Sequence, residues 1–260
     1  MPNVFLPANF DPLMKNPQLS IIIPTKNEGK YIDQTLAQFS EYLEKYHLEI
    51  IVSDANSTDG TVEIVQRYAA QTAGKIRLVQ NDGQQNIAIG RNYGAVHATG
   101  DLLFHTDADV RIPDPDRFFQ AVLARFEHPA VVAATVPIWV YPAESKLNDR
   151  LYHLFMNSVI RLSFTVGVYL AKGECQMIRR TVFQKIGGYN ERLVAGEDCN
   201  LFYRLHKEGR IAFLHRVCVH HSPRRFRQYG YAYVSWIYLR EGLSLLFLGK
   251  SYAKEWTPVR

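Results

Sequence analysis

The sequence predicts an α/β fold, with a Rossmann-like, mostly parallel central sheet and helices on both of its faces. Three observations predict it. Short apolar runs alternate with stretches that carry apolar residues at helical spacing. The connections between them are short. Polar residues able to do chemistry follow the apolar runs, and in an open parallel sheet that edge binds ligands.

Leu19 to Ile23 is an apolar run stopped by Pro24, which predicts a buried strand. Ile32, Leu36, Phe39 and Leu43 mark the helix after it. Leu48 to Val52 predicts a second strand, and Val62, Val65, Tyr68 and Ala69 a second helix. Lys75 to Gln80 reads as a third strand, and Ile87 to Ala98 as a helix rich in small residues. Gly100-Asp101 opens a fourth strand, which ends on Asp107-Ala108-Asp109. A second acidic pair, Asp114-Pro115-Asp116, precedes Phe118, Phe119, Val122, Leu123 and Phe126. That context predicts a helix start, with Asp114 as cap and Pro115 in the first turn.

The second half is less regular. Ala130 to Trp139 reads as one strand, Leu147 to Val166 as a helix and Glu174 to Ile178 as a strand. Glu197-Asp198 opens a helix with Leu201, Phe202 and Leu205 on one side. Ile211 to Leu214 and Val217 to Val219 are short strands, and Phe226 to Leu248 is an aromatic helical tail. The expected organisation is an arm over 1–18, a main domain over 19–222 and a basic, aromatic tail over 223–260. Within the main domain, a regular half (about 19–110) precedes a less regular one (about 111–222).

With 260 residues, 47% of them hydrophobic, the chain can bury a substantial core. A net charge of +5 suits anionic partners. Cys175, Cys199 and Cys218 form no Cys-x-x-Cys pair, which fits buried filler in a reducing compartment. The expected location is the cytoplasm. The N-terminal stretch has no basic region followed by a long apolar run, so it reads as an arm. Leu151 to Leu170 and Tyr231 to Leu248 both carry charge and are poor spanning helices.

A buried strand that stops on two acids points them beyond the sheet edge. Carboxylates there suit a hard divalent cation, Mg²⁺ or Mn²⁺, and such a cation suits a diphosphate. His220 or His221 is the candidate further ligand, with His220 the first choice. No Gly-x-Gly-x-x-Gly follows the first strand, which disfavours a dehydrogenase. No Gly-x-x-x-x-Gly-Lys-Ser/Thr is present, which disfavours a P-loop NTPase.

Six stretches together resemble the family 2 glycosyltransferases of GT-A fold. They are Ile21-Ile22-Ile23-Pro24-Thr25-Lys26-Asn27-Glu28, Asp54-Ala55-Asn56-Ser57-Thr58-Asp59-Gly60-Thr61, Gly90-Arg91-Asn92-Tyr93-Gly94, Gly100-Asp101 through Asp107-Ala108-Asp109, Ile186-Gly187-Gly188-Tyr189-Asn190-Glu191, and Gly196-Glu197-Asp198. The resemblance implies transfer of a sugar from a nucleotide donor, usually uridine-linked, with a divalent metal and inversion at the anomeric carbon. It implies that Asp54 reads the base edge, that Pro24, Thr25, Asn27 and Glu28 line the nucleoside, and that Arg91 lies near the diphosphate. It makes Asp109 a metal ligand and gives Asp107 the ribose or the metal's shell. It makes Asp198 the catalytic base, with Glu197 beside it. Ala55 departs from the family pattern, which often has a second Asp there.

The acceptor is expected to be a sugar, lipid-linked if the tail touches a membrane, as in cell-surface polysaccharide or glycolipid synthesis. Arg224, Arg225 and Arg227 beside Tyr229, Tyr231, Tyr233, Trp236 and Tyr238 read either as an aromatic helix packed on the core with a solvated basic collar or as a membrane interface; nucleic acid is not an expected partner. Membrane contact would place the chain at the membrane's inner face. Two rival readings remain. A nucleotidyltransferase would show a Gly-rich basic loop after the first strand, and Pro24 to Gly29 is not one. A silent nucleotide-sugar-binding regulator would have no need of Asp198.

Overall fold

The computed structural model describes residues 18–81, 83, 86–253 and 259, so the expected arm lies, but for Gln18, outside the described residues. The first half alternates as the spacing predicts. β1 (Leu19–Thr25) is followed by α1 (Gly29–Ser40), β2 (Leu48–Asp54), α2 (Thr61–Gln71), β3 (Ile76–Gln80), α3 (Ile87–Val96) and β4 (Leu102–Thr106). β5 (Val110–Arg111) then leads into α4 (Pro115–Phe126), where the Asp114 carboxylate caps the helix by accepting from the Arg117 N–H at 3.0 Å.

β6 (Val131–Thr135) and β7 (Ile138–Val140) replace the single strand expected over 130–139. Pro137 lies between them. It has no N–H for a ladder, so pairing stops and the chain changes sheets. α5 (Leu147–Thr165), β8 (Cys175–Arg179), α6 (Arg180–Lys185), α7 (Glu197–Leu205), β9 (Arg210–Phe213) and β10 (Val219–His221) follow. The tail is two helices rather than one, α8 (Arg224–Tyr229) and α9 (Tyr231–Leu248). Gly230, at φ 76° and ψ 155°, breaks them apart in a conformation open to glycine.

Among the described residues, seven strands form the main sheet in the order β3-β2-β1-β4-β8-β6-β9. β3, β2, β1 and β4 run parallel, while β8 is antiparallel to both β4 and β6. A second sheet, β5-β10-β7, folds over the ends of these strands. Strand alternation sorts the core into two faces. Ile21, Ile23, Ile50, Val52 and Phe104 pack against Ile32, Leu36 and Phe39 of α1 and Phe118 and Phe119 of α4. Ile22, Ile51, Leu103 and Ile178 pack against α3, α6 and α7 through Ala88, Phe183, Leu201 and Phe202. α3 lies so close that a Cβ on Gly94 would sit 2.6 Å from Ile22 Cγ2, which explains its small residues. Cys175 is buried filler as expected, whereas Cys199 and Cys218 are only partly covered.

Candidate active site

The carboxyl ends of β1, β2 and β4 meet at one edge, and each brings its loop. The β1 and β2 loops are stitched together. Thr25 donates to Asp54 Oδ1 at 2.8 Å, the Asn27 N–H to Ser57 Oγ at 2.7 Å, and the Thr58 N–H to Asn27 Oδ1 at 2.8 Å. Asn27 holds a left-handed φ of 55°, a conformation its short amide tolerates. The fully buried Asp54 also accepts from the Ser57 hydroxyl and N–H at 2.5 and 2.8 Å. Three of its roughly four lone-pair directions are therefore filled by the loop itself. Pro24 sits at the floor, within 3.3 Å of where a Cβ on Gly90 would be.

Glu28 is held from the far end of the chain. Arg224 Nη1 and Nη2 donate to its two oxygens at 2.8 and 2.9 Å, and Arg224 Nε lies 3.1 Å from Asp109 Oδ2. The guanidinium stacks 4.8 Å from the ring of Tyr31. These contacts cross the expected boundary at 222/223, since Arg224 opens α8. Sequence reasoning placed Arg224 only in a basic tail. Its signal was positional, since it lies just after the last strand, β10, as Asp107 lies just after β4.

Asp109 is nearly enclosed. Burial pushes its carboxyl up to about 7, with Arg224 opposing the rise and the charges of Asp107, Glu28 and Glu174 adding to it. The Tyr141 hydroxyl donates to the Asp109 carbonyl and fixes the turn.

Arg91 joins the two halves. It is 1% exposed, and Nη2 donates to Asp107 Oδ1 at 2.9 Å and to the Gly173 carbonyl at 3.0 Å, while Nη1 donates to Glu197 Oε1 at 3.0 Å. A Cβ on Gly173 would lie 2.4 Å from Nη2, so a side chain there would push the guanidinium from its place. Arg91, expected near the diphosphate, is a buried tie between two protein acids. Glu197 and Asp198 open α7 behind Gly196, whose φ of 74° turns the chain into the helix. Glu197 is buried against Arg91, whereas Asp198 is partly exposed and accepts from the Cys199 N–H at 2.7 Å. Burial raises both carboxyls.

The histidines resolve differently from the expectation. Neighbours on a strand point to opposite faces. His221 turns inward, 3.4 Å from Glu174 Oε1 and 3.4 Å from His153 Nε2. His220, the first choice as metal ligand, turns the other way, toward Cys218 Sγ at 4.0 Å. Among the described residues, no three His, Cys, Asp or Glu side chains stand together as a ready metal cage. The donor chemistry at Asp109 nevertheless fits a hard divalent cation: buried oxygen ligands amid an excess of acid that such a charge would offset.

The mostly parallel seven-stranded sheet with helices on both faces is the fold of GT-A glycosyltransferases. The model of Glycosyl transferase family 2 matches residues 20–187, and the chain belongs to that family. The succinoglycan biosynthesis protein ExoA of Rhizobium meliloti (strain 1021) is 28% identical over 210 residues, covering 78% of this chain and 63% of ExoA. The putative glycosyltransferase EpsE of Bacillus subtilis (strain 168) is 35% identical over 198 residues, covering 74% of this chain and 68% of EpsE. The chain therefore spans less than two thirds of ExoA's length. The mannosyltransferase PcManGT of Pyrobaculum calidifontis, solved with GDP-Man and Mn2+, matches with a TM-score of 0.67 at 25% identity, over 92% of this chain and 65% of that one. S. aureus TarS in complex with UDP-GlcNAc matches with a TM-score of 0.59 at 20% identity, over 76% of this chain and 56% of that one, a likeness of fold.

Proposed function

We propose that the chain transfers a sugar from a nucleoside diphosphate donor to an acceptor hydroxyl, by single displacement with inversion. The observation that supports it is the Arg91 tie, which holds Asp107 on the donor edge and Glu197 on the acceptor helix with one guanidinium. The donor acid and the start of α7, which carries the candidate base next to Glu197, are thereby held relative to each other before any ligand arrives, as an in-line displacement requires.

Asp198 is the base in this reading. It is the member of the acid pair that reaches solvent, and it would accept the acceptor's proton as the oxygen attacks. Glu197 and Arg91 position the start of α7. Pro24, Thr25, Asn27 and Asp54 form the nucleoside wall, and Asp54 keeps one acceptor direction for a base N–H. Asp109 and Asp107 would hold Mn²⁺ or Mg²⁺, which when bound would offset the charge of the departing diphosphate. Arg224 holds Glu28 and Asp109 together beside it. PcManGT, solved with a guanosine donor, widens the donor range beyond the uridine-linked expectation. The acceptor class this reading favours is a growing polysaccharide or a lipid-linked sugar.

The test is release of nucleoside diphosphate from a panel of UDP- and GDP-sugars, with and without Mn²⁺. Metal-dependent release with one donor supports the reading. Donor binding without release under any acceptor indicates a silent binder, and pyrophosphate release from a nucleoside triphosphate indicates a nucleotidyltransferase.

A further inference from the structure

α5 is built inside out. Asp149, His153, Asn157 and Ser163 are turned into the protein. Asp149, with no exposed side-chain surface, accepts from Arg227 at 2.5 and 2.8 Å, and Asn157 brackets the Ile138 backbone at 3.0 and 3.1 Å. His153 meets His221. Most of the large apolar residues of α5 face out: Leu147 is 72% exposed, Phe155 64%, and Leu151, Leu154 and Leu162 all exceed half, while Ile160 is buried. A soluble surface helix has the opposite polarity.

α9 repeats the pattern beside it. Tyr231, at its start, packs against Tyr152 of α5, with ring centroids 4.6 Å apart. Its buried Glu241 accepts from the N–H groups of Tyr252 and Ala253, both at 2.9 Å, while Trp236, Leu239, Leu243 and Leu248 stand in the open. A helix apolar around most of its circumference normally lies in a core. Apolar exposure on this scale marks a surface that something covers.

We propose that α5 and α9 form one face that lies on an anionic membrane. The charge decides among occupants. The exposed charged residues of α5 are Arg150 and Arg161, and the acid on each helix, Asp149 or Glu241, is buried and paired. Leucines flanked by arginines, with Tyr233 and Trp236 beside them, match the headgroup boundary. A hollow of about 360 Å³ between β7 and α5, lined by Trp139, Pro142, Leu151 and Leu154 with Arg150, gives an acyl chain a place to lodge. Among the described residues no helix is long and apolar enough to cross the bilayer, so the face lies on the surface. The tail expected to touch a membrane is half of this face, and α5 is the other half. The inference stands apart from the transfer reaction.

The test is co-sedimentation of the full chain with phosphatidylcholine vesicles, with and without phosphatidylglycerol. Binding is expected with phosphatidylglycerol present, and it should weaken as salt rises. Leu151→Ser and Phe155→Ser should each lower the partition coefficient about tenfold or more. Arg150→Glu with Arg161→Glu should remove the preference for the anionic lipid. All these variants should keep the wild-type rate of nucleoside diphosphate release without vesicles. Sedimentation with neither vesicle overturns the proposal, as does partitioning indifferent to the substitutions. A wild-type dimer that Leu151→Ser dissociates also overturns it, since a second copy would then cover the face.

Discussion

Arg224 donates two nitrogens to the carboxylate of Glu28, at 2.8 and 2.9 Å, although 196 residues separate them in the chain. The pair closes the site between its first loop and its last helix. Glu28 and Asp109 are both nearly buried, so removing their cation leaves two acids without it. Arg224→Ala is expected to cost about 3–5 kcal/mol, the range for breaking a buried pair. Arg224→Lys should recover only part of this, because an ammonium cannot form the two-pronged contact. Urea midpoints of the three proteins decide it; an Arg224→Ala protein as stable as the parent would show the clamp to be idle.

Gly173 and Arg91 should behave as one unit. A methyl at 173 collides with Nη2, so Gly173→Ala should destabilise by about 1–3 kcal/mol through overpacking. Arg91→Met removes the group that it strikes. In the double variant the alanine should therefore cost clearly less than alone, a coupling of about 1 kcal/mol or more. Additive costs would mean that the guanidinium does not occupy this position.

Asp198→Asn separates chemistry from binding. A base that takes the acceptor's proton is worth about 10²–10⁴ in rate. The variant should lose that much in kcat while donor affinity, measured calorimetrically with Mn²⁺, stays within about twofold of the parent, since binding does not use the base. Glu197→Gln should instead lower stability, because it weakens the hold of Arg91 on α7. Full turnover in Asp198→Asn would remove the base from this position.

His153 and His221 set an acid limit. Burial, then the charge of Lys172, pushes His153 down to about 2 and His221 to about 3. Both stay neutral in the fold while an unfolded histidine takes a proton near pH 6.5. The unfolded state then binds more protons, so stability is fully present above that pH and falls as pH drops below it. The loss per histidine is about 1.4 kcal/mol for each pH unit, until the folded value is reached. His153→Phe should flatten the slope of unfolding free energy between about pH 6.5 and 5. An unchanged slope would show that His153 is already protonated in the folded chain.

By itself the sequence determined the alternation of β1 to β4 with α1 to α3, the cap at Asp114, and the placing of Thr25, Asp54, Asp107 and Asp198 at element ends. These are local facts. Periodicity, a proline and a strand that stops are read within ten residues or so of chain. Tertiary structure decided what those residues touch. It made Arg91 a tie between Asp107 and Glu197, brought Arg224 onto Glu28, and turned His221 inward and His220 the other way. It also split the strand at Pro137 and reversed β8 within the sheet. Contacts between residues 16, 106 or 196 positions apart depend on strand order and on which face each element buries, and no window of sequence carries either. The outward leucines of α5 show the same division. Their spacing was legible as a helix, but only the packed fold reveals that its polar side is the one turned inward.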